Sequence, residues 1–507
     1  MLSLLDDGAP PPCPDPFNLA EDVLAAGLAA PDRIALQILR HAGAERWSHA
    51  RLRAAVLGTG AGLLARGLAP GDRVLMRLGN TADFPVLFLG AIAAGLVPVP
   101  TSAQLTVPEV TALAAALRPA LVVAAEGVAR PAGDWPVATE AELRGWHALP
   151  PCGIDCGAPD RLAYMVFTSG TTGRPRAVMH AHRAIRARRM MWDGWYGLTP
   201  ADRVLHAGAF NWTYTLGTGL MDPWAAGATA LIPAAGVTPE ALPLLLKRFD
   251  ATIFAAAPGV YRQLLRGVLP GMPKLRHGLS AGEKLPEATR VAWVQATGTP
   301  VYEAFGMSEI STFLSGSPSR PAPAGALGYS QAGRRVAILD PEGRPVPRGT
   351  PGTIAVGRDD PGLFLGYLDA PDETAARFAG DWFLTGDMGV MAGDGAIAYL
   401  GRGDDMMNAG GYRVSPLEVE AAMAAHPAIE DCAAVEVQVK ADASVIALAY
   451  VGGPVTAGEL ASFAADRLAR YKQPRLWRRV DALPRGANGK LLRAVLRREI
   501  EGQHDPA

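Results

Sequence analysis

Cysteine is scarce in this chain: four among 507 residues, at Cys13, Cys152, Cys156 and Cys432. Thiols so few and so scattered give no disulfide framework and fit a reducing compartment. Cys152 and Cys156 make one CxxxC without a second ligand pair, whereas a structural zinc site needs four ligands. Excess charge is missing too. With 48 basic against 49 acidic residues the formal net charge is -1, so no bulk field attracts nucleic acid or an anionic membrane surface, and no nucleic-acid partner is expected. A long uninterrupted apolar run is also lacking. The most apolar stretch, FPVLFLGAIAAGLVPVP at 84–100, is short for a span and carries Pro85, Pro98 and Pro100. It predicts a buried helix running into a strand, and no membrane span. The N-terminus has no basic segment followed by an apolar run, so no secretory signal is expected and a cytoplasmic location is.

What is present is core-forming material. The chain is 49% hydrophobic and too long for one ordinary domain, so two or more domains are expected. Ala- and Leu-rich helical stretches alternate with short strand-like runs: ARLRAAVLGTGAGLLARGL, DRVLMRL, VLFLGAIAAG, LVPVP and VTALAAALRPALVVAA. That alternation predicts parallel-sheet α/β architecture. The rhythm returns through RVLHAG, TALIP, ATIFAAAP and PVYEAFG, placing a second α/β unit at about 160–330. After Gly333, RRVAILDPEGRPVPRGTPGTIAVG reads as a small β-subdomain, its short strands separated by Gly and Pro turns. Past GRGDD at 401–405 a tail of roughly a hundred residues is large enough for a domain of its own. Its first helix, SPLEVEAAMAAHP, should start with Ser415 as N-cap and Pro416 at the first helical position. The expected fold is therefore α/β: a large N-terminal domain (1–402) of two α/β subdomains and a small β-subdomain, with a smaller mobile α+β C-terminal domain (403–507).

Residues 168–178 read TSGTTGRPRAV, directly after the apolar run Ala163-Tyr164-Met165-Val166-Phe167. A strand ending in Gly- and hydroxyl-rich backbone offers many N–H and O–H donors to an anion, and triphosphate is a natural guest. The stretch is not a Walker loop, because Gly170 and Gly173 are separated by two residues rather than four. On spacing alone, a surface loop and a phosphate cradle both stand.

TSGTTGRPRAV resembles the phosphate-binding signature of the adenylate-forming superfamily, which includes acyl-CoA and aryl-CoA synthetases, non-ribosomal adenylation domains and firefly-type luciferases. Further motifs follow in the family's order: SAGEKLP (280–286), YEAFGMSE (302–309), FLTGDMG (383–389), GRGDDMMNAGGYRVSPLEVE (401–420) and PRGANGKLLR (484–493). The resemblance spans nearly the whole chain and is nearest to benzoate-type and medium-chain acyl-CoA ligases. It implies ATP, Mg²⁺ and coenzyme A as cofactors, and a small carboxylic acid and CoA as reaction partners. It leaves a homodimer open.

The resemblance also implies roles. Thr168, Ser169, Gly170, Thr171, Thr172, Gly173 and Arg176 would hold the β- and γ-phosphates, with Arg176 standing where the family commonly has Lys; a guanidinium keeps the charge and can bind phosphate bidentately. Glu309 would bind Mg²⁺, with Ser308 near the α-phosphate. Gly282 and Glu283 would meet the nucleotide, Phe305 would stack on adenine, and Asp387 with Arg402 would contact the ribose. Lys490 would neutralise charge developing during adenylation, Asp404 would be the hinge, and Gly410 and Gly411 would line the pantetheine tunnel. Phe210, Trp212, Ala281 and Gly306 would form the acyl pocket, an aromatic neighbourhood suited to an aryl or short branched acid. Outside the family's context each reads otherwise: Glu309 and Lys490 as surface charges, Thr385-Gly386-Asp387 as a turn, the aromatics as core. The activity implied is ATP-dependent activation of an acid to an acyl-adenylate followed by transfer to CoA. The alternative is transfer to a carrier-protein pantetheine, and a non-catalytic nucleotide-binding scaffold is a third reading. SAGE at 280–283, and the lack of a carrier domain after Lys490, point to free CoA.

Overall fold

The computed structural model describes residues 1–168, 176–403, 405–409, 412–440, 443–486 and 489–502. Two compact units divide the chain: a larger one of Leu5–Arg335 and Gly357–Phe383, and a smaller one of Met1–Leu4, Val336–Val356 and Leu384–Ala507. Each is mixed α/β, as the alternating sequence texture predicts.

In the larger unit, a nine-stranded sheet has at its centre six strands that run parallel, among them Thr229–Pro233, Arg203–His206, Ile253–Ala256, His277–Ser280 and Val301–Met307. These are short, almost continuously apolar runs, the pattern of strands covered on both faces. The Ile34–Arg40 strand joins this sheet beside Thr229–Pro233 although about 190 residues separate them, and Gly43–Ser48 closes that edge antiparallel. A second, four-stranded parallel sheet contains Arg73–Arg77, Val97–Pro100, Leu121–Ala124 and Val137–Thr139.

The apolar stretch at 84–100 resolves as the helix Asp83–Ala93, buried at every residue, and the buried strand Val97–Pro100. No helix among the described residues is long and apolar enough to cross a membrane. A third, three-stranded antiparallel sheet is made of Leu162–Thr168, Arg176–Ala181 and the short strand Gly366–Tyr367.

In the smaller unit, Val336–Leu339 pairs antiparallel with Gly352–Gly357, and Trp382–Met391, a strand that begins in the larger unit, pairs with Ile397–Arg402. The tail holds the sheet Ile429–Lys440, Ala443–Gly452 and Leu476–Arg479. Alternation along those strands sends Ala434, Ile446 and Leu448 toward Val419, Met423 and Leu460, and Val435, Val437 and Ala447 toward Leu483, Leu496 and Ile500. Both faces are thus covered by helices. Pro416 is the first residue of the Pro416–Met423 helix and Ser415 its N-cap, but the Ser415 hydroxyl makes no cap bond and instead donates to the Leu400 carbonyl.

Candidate functional site

The loop that opens TSGTTGRPRAV is framed by a β-hairpin. Strands Leu162–Thr168 and Arg176–Ala181 pair antiparallel, in continuous register from Tyr164 opposite His180 to Thr168 opposite Arg176. Ser169, Gly170, Thr171, Thr172 and Gly173 lie outside the described residues. Arg176 at the hairpin's mouth has two partners: its Nε lies 2.5 Å from Glu373 Oε2, and its guanidinium stands 5.4 Å over the Tyr367 ring.

Tyr367 links this hairpin to Glu309. The Gly366–Tyr367 strand pairs with Met179 and Val178, and the Tyr367 hydroxyl donates to Glu309 Oε1 at 2.6 Å. The Phe364 amide donates to the Glu309 carbonyl at 2.8 Å, so backbone and side chain of one residue are both held by this segment. Burial, and then the Glu309 charge, raise the Tyr367 pKa, which keeps the hydroxyl a donor. Glu309 is 7% exposed, and its Oε2 has no hydrogen-bond or ion-pair partner among the described residues. Neither Tyr367 nor Glu373 belongs to a motif singled out from sequence; the signal available was the Gly-Tyr pair just ahead of an acidic helix start, Pro371-Asp372-Glu373.

Could such a site take Mg²⁺? A hard cation needs oxygen ligands, keeps waters, and is commonly held by one or two carboxylates together with phosphates. A carboxylate fixed through one oxygen and open at the other fits that demand. No group of three or more His, Cys, Asp or Glu that could hold a metal occurs among the described residues, so the remaining ligands would be phosphate and water.

The turn carrying Ser308 and Glu309 joins Val301–Met307 to Ser311–Ser315. Its tightness requires Gly306, where a Cβ would stand 2.1 Å from the Ser311 carbonyl oxygen. Below the turn, Arg188 donates to Ser311 Oγ at 2.5 Å and to both oxygens of Asp222 at 2.9 and 2.6 Å, while the Tyr196 hydroxyl donates to Asp222 at 2.7 Å. Arg188, Asp222 and Tyr196 are all buried. A buried charge pair with this many bonds fixes the base of the hairpin.

Phe305, on the same strand, meets Phe313 edge-on at 5.5 Å. Beside it, Trp212 and Ala281 share a cluster with Tyr214, Trp195 and Ala304. Gly282 has a φ of +98°, and a Cβ there would stand 2.7 Å from Trp212 Cζ2, so the indole lies directly against this loop. Arg262 approaches Glu283 at 4.0 Å. His206 meets Tyr214 edge-on at 4.4 Å; its Nδ1 accepts from the Gly208 amide at 3.0 Å, so the ring proton sits on Nε2. Burial pushes the His206 pKa down to about 3 and the ring is neutral. Phe210 packs against Phe84 at 5.3 Å.

In the smaller unit, Asp387 and Arg402 face each other on paired strands, with Arg402 Nη1 3.3 Å from Asp387 Oδ2 and the Tyr399 hydroxyl 2.9 Å from Oδ1. Lys490 is exposed. Its carbonyl accepts from Gly486, and Arg485 clamps the turn by donating to the Gly489 carbonyl and to Asp431, each at 2.8 Å. Asp404, Gly410 and Gly411 lie outside the described residues.

Known proteins resemble this chain along most of its length. The AMP-binding enzyme family matches residues 25–368, and the AMP-binding enzyme C-terminal domain matches 418–490. A 3-hydroxybenzoate–CoA ligase of Aromatoleum sp. (strain CIB) is 32% identical, covering 95% of this chain and 96% of its own. A benzoate–CoA ligase of Thauera aromatica is 30% identical over 98% of this chain and 99% of its own. Among solved structures, ATP-bound MatB from Rhodopseudomonas palustris superposes with a TM-score of 0.88 at 27% identity, covering 96% of this chain and all of that one. A match that takes in the hairpin, the Glu309 turn and the tail, sustained in sequence and in fold, leaves one assignment: the chain belongs to the AMP-binding enzyme family.

Proposed function

We propose that this protein is an AMP-forming carboxylate–CoA ligase acting on a small aryl or short- to medium-chain acid. The carboxylate attacks the α-phosphate of ATP, forming the acyl–phosphate bond and releasing pyrophosphate. The thiol of CoA then attacks the acyl carbon, and AMP leaves with the electron pair of the broken acyl–oxygen bond. A carboxylate is a poor electrophile, so the protein's work is positioning and charge neutralisation.

The observation that carries this reading is the Glu309 carboxylate, buried, open at one oxygen and oriented by Tyr367, whose strand belongs to the sheet that also bears Thr168 and Arg176. Glu309 would hold Mg²⁺, which when bound neutralises phosphate charge. Arg176 and the 168–173 loop would follow the departing pyrophosphate. Asp387 and Arg402 would take the ribose, Phe305 the adenine, and Trp212 with Ala281 the acyl group. Lys490 would approach the reacting oxygens during adenylation and leave before thiol attack, which requires the C-terminal domain (403–507) to turn about Asp404 against the N-terminal domain (1–402) and bring Gly410 and Gly411 to the pantetheine. A cytoplasmic location supplies both ATP and CoA.

The test is ATP- and CoA-dependent AMP formation against a panel running from acetate and hexanoate to benzoate, the hydroxybenzoates and phenylacetate, with Lys490→Ala alongside. AMP and acyl-CoA from the wild type are expected, and a loss of roughly 10²–10³ in adenylation in the variant. Pyrophosphate exchange without thioester would move the acceptor to a carrier-protein pantetheine. No nucleotide turnover with any acid would leave a non-catalytic scaffold.

A further inference from the structure

We infer that Tyr367 is a positioning residue for Glu309, and that its hydroxyl sets which carboxylate oxygen is offered to the cation that accompanies ATP. The inference rests on the reading of Glu309 as the cation's ligand given above.

The geometry is over-determined. Tyr367 is buried, its backbone amide donates a hydrogen bond to Thr374 Oγ1 at 2.9 Å, and its Cα pairs with Val178 in the short sheet. The ring meets Phe364 edge-on at 5.0 Å and carries the Arg176 guanidinium over its face at 5.4 Å. A ring held on these sides cannot swing its hydroxyl elsewhere, so the 2.6 Å bond to Glu309 Oε1 is a fixed constraint. An ionised carboxylate only accepts. With Oε1 occupied, the torsion that turns the carboxylate is locked and Oε2 is left as the outward oxygen; the Phe364 amide on the Glu309 carbonyl at 2.8 Å fixes the backbone to match. A hydrogen-bonding neighbour of this kind orients a ligand and commonly governs metal affinity as strongly as 10- to 100-fold. The same ring borders Arg176, so the aromatic that aims the carboxylate also seats a cation at the mouth of the phosphate loop.

Tyr367→Phe removes the oxygen and keeps the ring, its packing and the Arg176 contact. The measurement is equilibrium dialysis of ATP without any acid, so that no turnover occurs, across a Mg²⁺ titration, for wild type, Tyr367→Phe, Glu309→Ala and the double variant, with thermal melting to confirm folding. The expected result is a roughly tenfold higher Mg²⁺ concentration at half-maximal ATP binding in Tyr367→Phe, with ATP binding in the absence of Mg²⁺ unchanged. In the Glu309→Ala background, Tyr367→Phe should add nothing, because a residue that acts only through Glu309 has nothing left to act on. An unchanged Mg²⁺ requirement in Tyr367→Phe beside a raised one in Glu309→Ala would overturn the positioning role alone. An unchanged requirement in Glu309→Ala would overturn the cation reading of Glu309 and the inference with it. A drop in Mg²⁺-free ATP binding in Tyr367→Phe would mean that the hydroxyl serves the fold of the loop rather than the carboxylate.

Discussion

Arg402 stands opposite Asp387, Cα to Cα on paired antiparallel strands, with its Nη1 3.3 Å from Asp387 Oδ2. Fifteen positions apart in the chain, the two become one acceptor–donor pair because Trp382–Met391 turns back as Ile397–Arg402. Tyr399, on the same returning strand, donates to the other oxygen at 2.9 Å, and burial, then the Asp387 charge, raise its pKa so that it stays a donor. A carboxylate is an acceptor of the kind that vicinal ribose hydroxyls would need. Asp387→Asn keeps the shape and loses the charge. KM for ATP should rise roughly 10- to 100-fold, the worth of one or two hydrogen bonds to a charged group, with little change in KM for the acid. Initial rates at varied ATP check this; an unaltered KM for ATP would remove Asp387 from the nucleotide site.

What the sequence made legible and what it hid divide along locality. The alternation of Leu- and Ala-rich runs predicts α/β layering because period and length are local properties, and Pro416 starts its helix for the same reason. The partners that give those residues their chemistry come from register. Tyr367 reaches Glu309 across 58 positions and Arg188 reaches Ser311 across 123, and neither aromatic nor guanidine sits in a spaced pattern. The Ser415 hydroxyl, assigned from sequence to a helix cap, is drawn to Leu400 by a strand that no local pattern announces.

The buried pair under the Glu309 turn should behave as buried ions do. Arg188 and Asp222 are 8% and 1% exposed at their side chains, and each is the other's main compensation for lost water. Arg188→Leu leaves Asp222 charged and unpaired in the core, which costs about 3–5 kcal/mol, and frees Ser311, whose φ of +70° is held against preference. The melting temperature should fall by several degrees. Arg188→Leu with Asp222→Leu should recover much of that fall, because an apolar pair of similar volume needs no compensation. A double variant no better than the single would mean that the network stabilises through its hydrogen bonds to Tyr196 and Ser311 and not by pairing charge.

Arg176 has a competitor for phosphate. Glu373, about half exposed, holds its Nε at 2.5 Å, so an anion arriving at the hairpin mouth must displace that contact or share the guanidinium. Glu373→Gln removes the competing charge, and KM for ATP should fall roughly two- to fivefold, the range of an exposed ion pair. Arg176→Lys keeps the charge but loses the planar seat over Tyr367, and KM for ATP should rise. If Glu373→Gln raised KM for ATP instead, the carboxylate would be holding Arg176 in its working position rather than away from it.

Five buried histidines, His49, His180, His182, His206 and His277, make the larger unit sensitive to acid, and the sign can be worked out for the four with the largest shifts. Burial lowers the pKa of His180 and His277 to about 4 and of His182 and His206 to about 3, against an ordinary value of 6.5. Between those values the unfolded chain binds protons that the folded chain refuses. Stability is therefore full above pH 6.5 and is lost as pH falls toward 4. One group shifted as far as His206 removes about 2 kcal/mol by pH 5. His206→Asn keeps an acceptor for the Gly208 amide and deletes the titration. Its urea midpoint should be lower than that of the wild type at pH 7.5, where a packed ring has been lost, yet should fall less between pH 7.5 and 5. Parallel loss in both proteins would mean that His206 is protonated in the folded state, and its Nε2–H, which has no hydrogen-bond partner among the described residues, would then need a buried anion beside it.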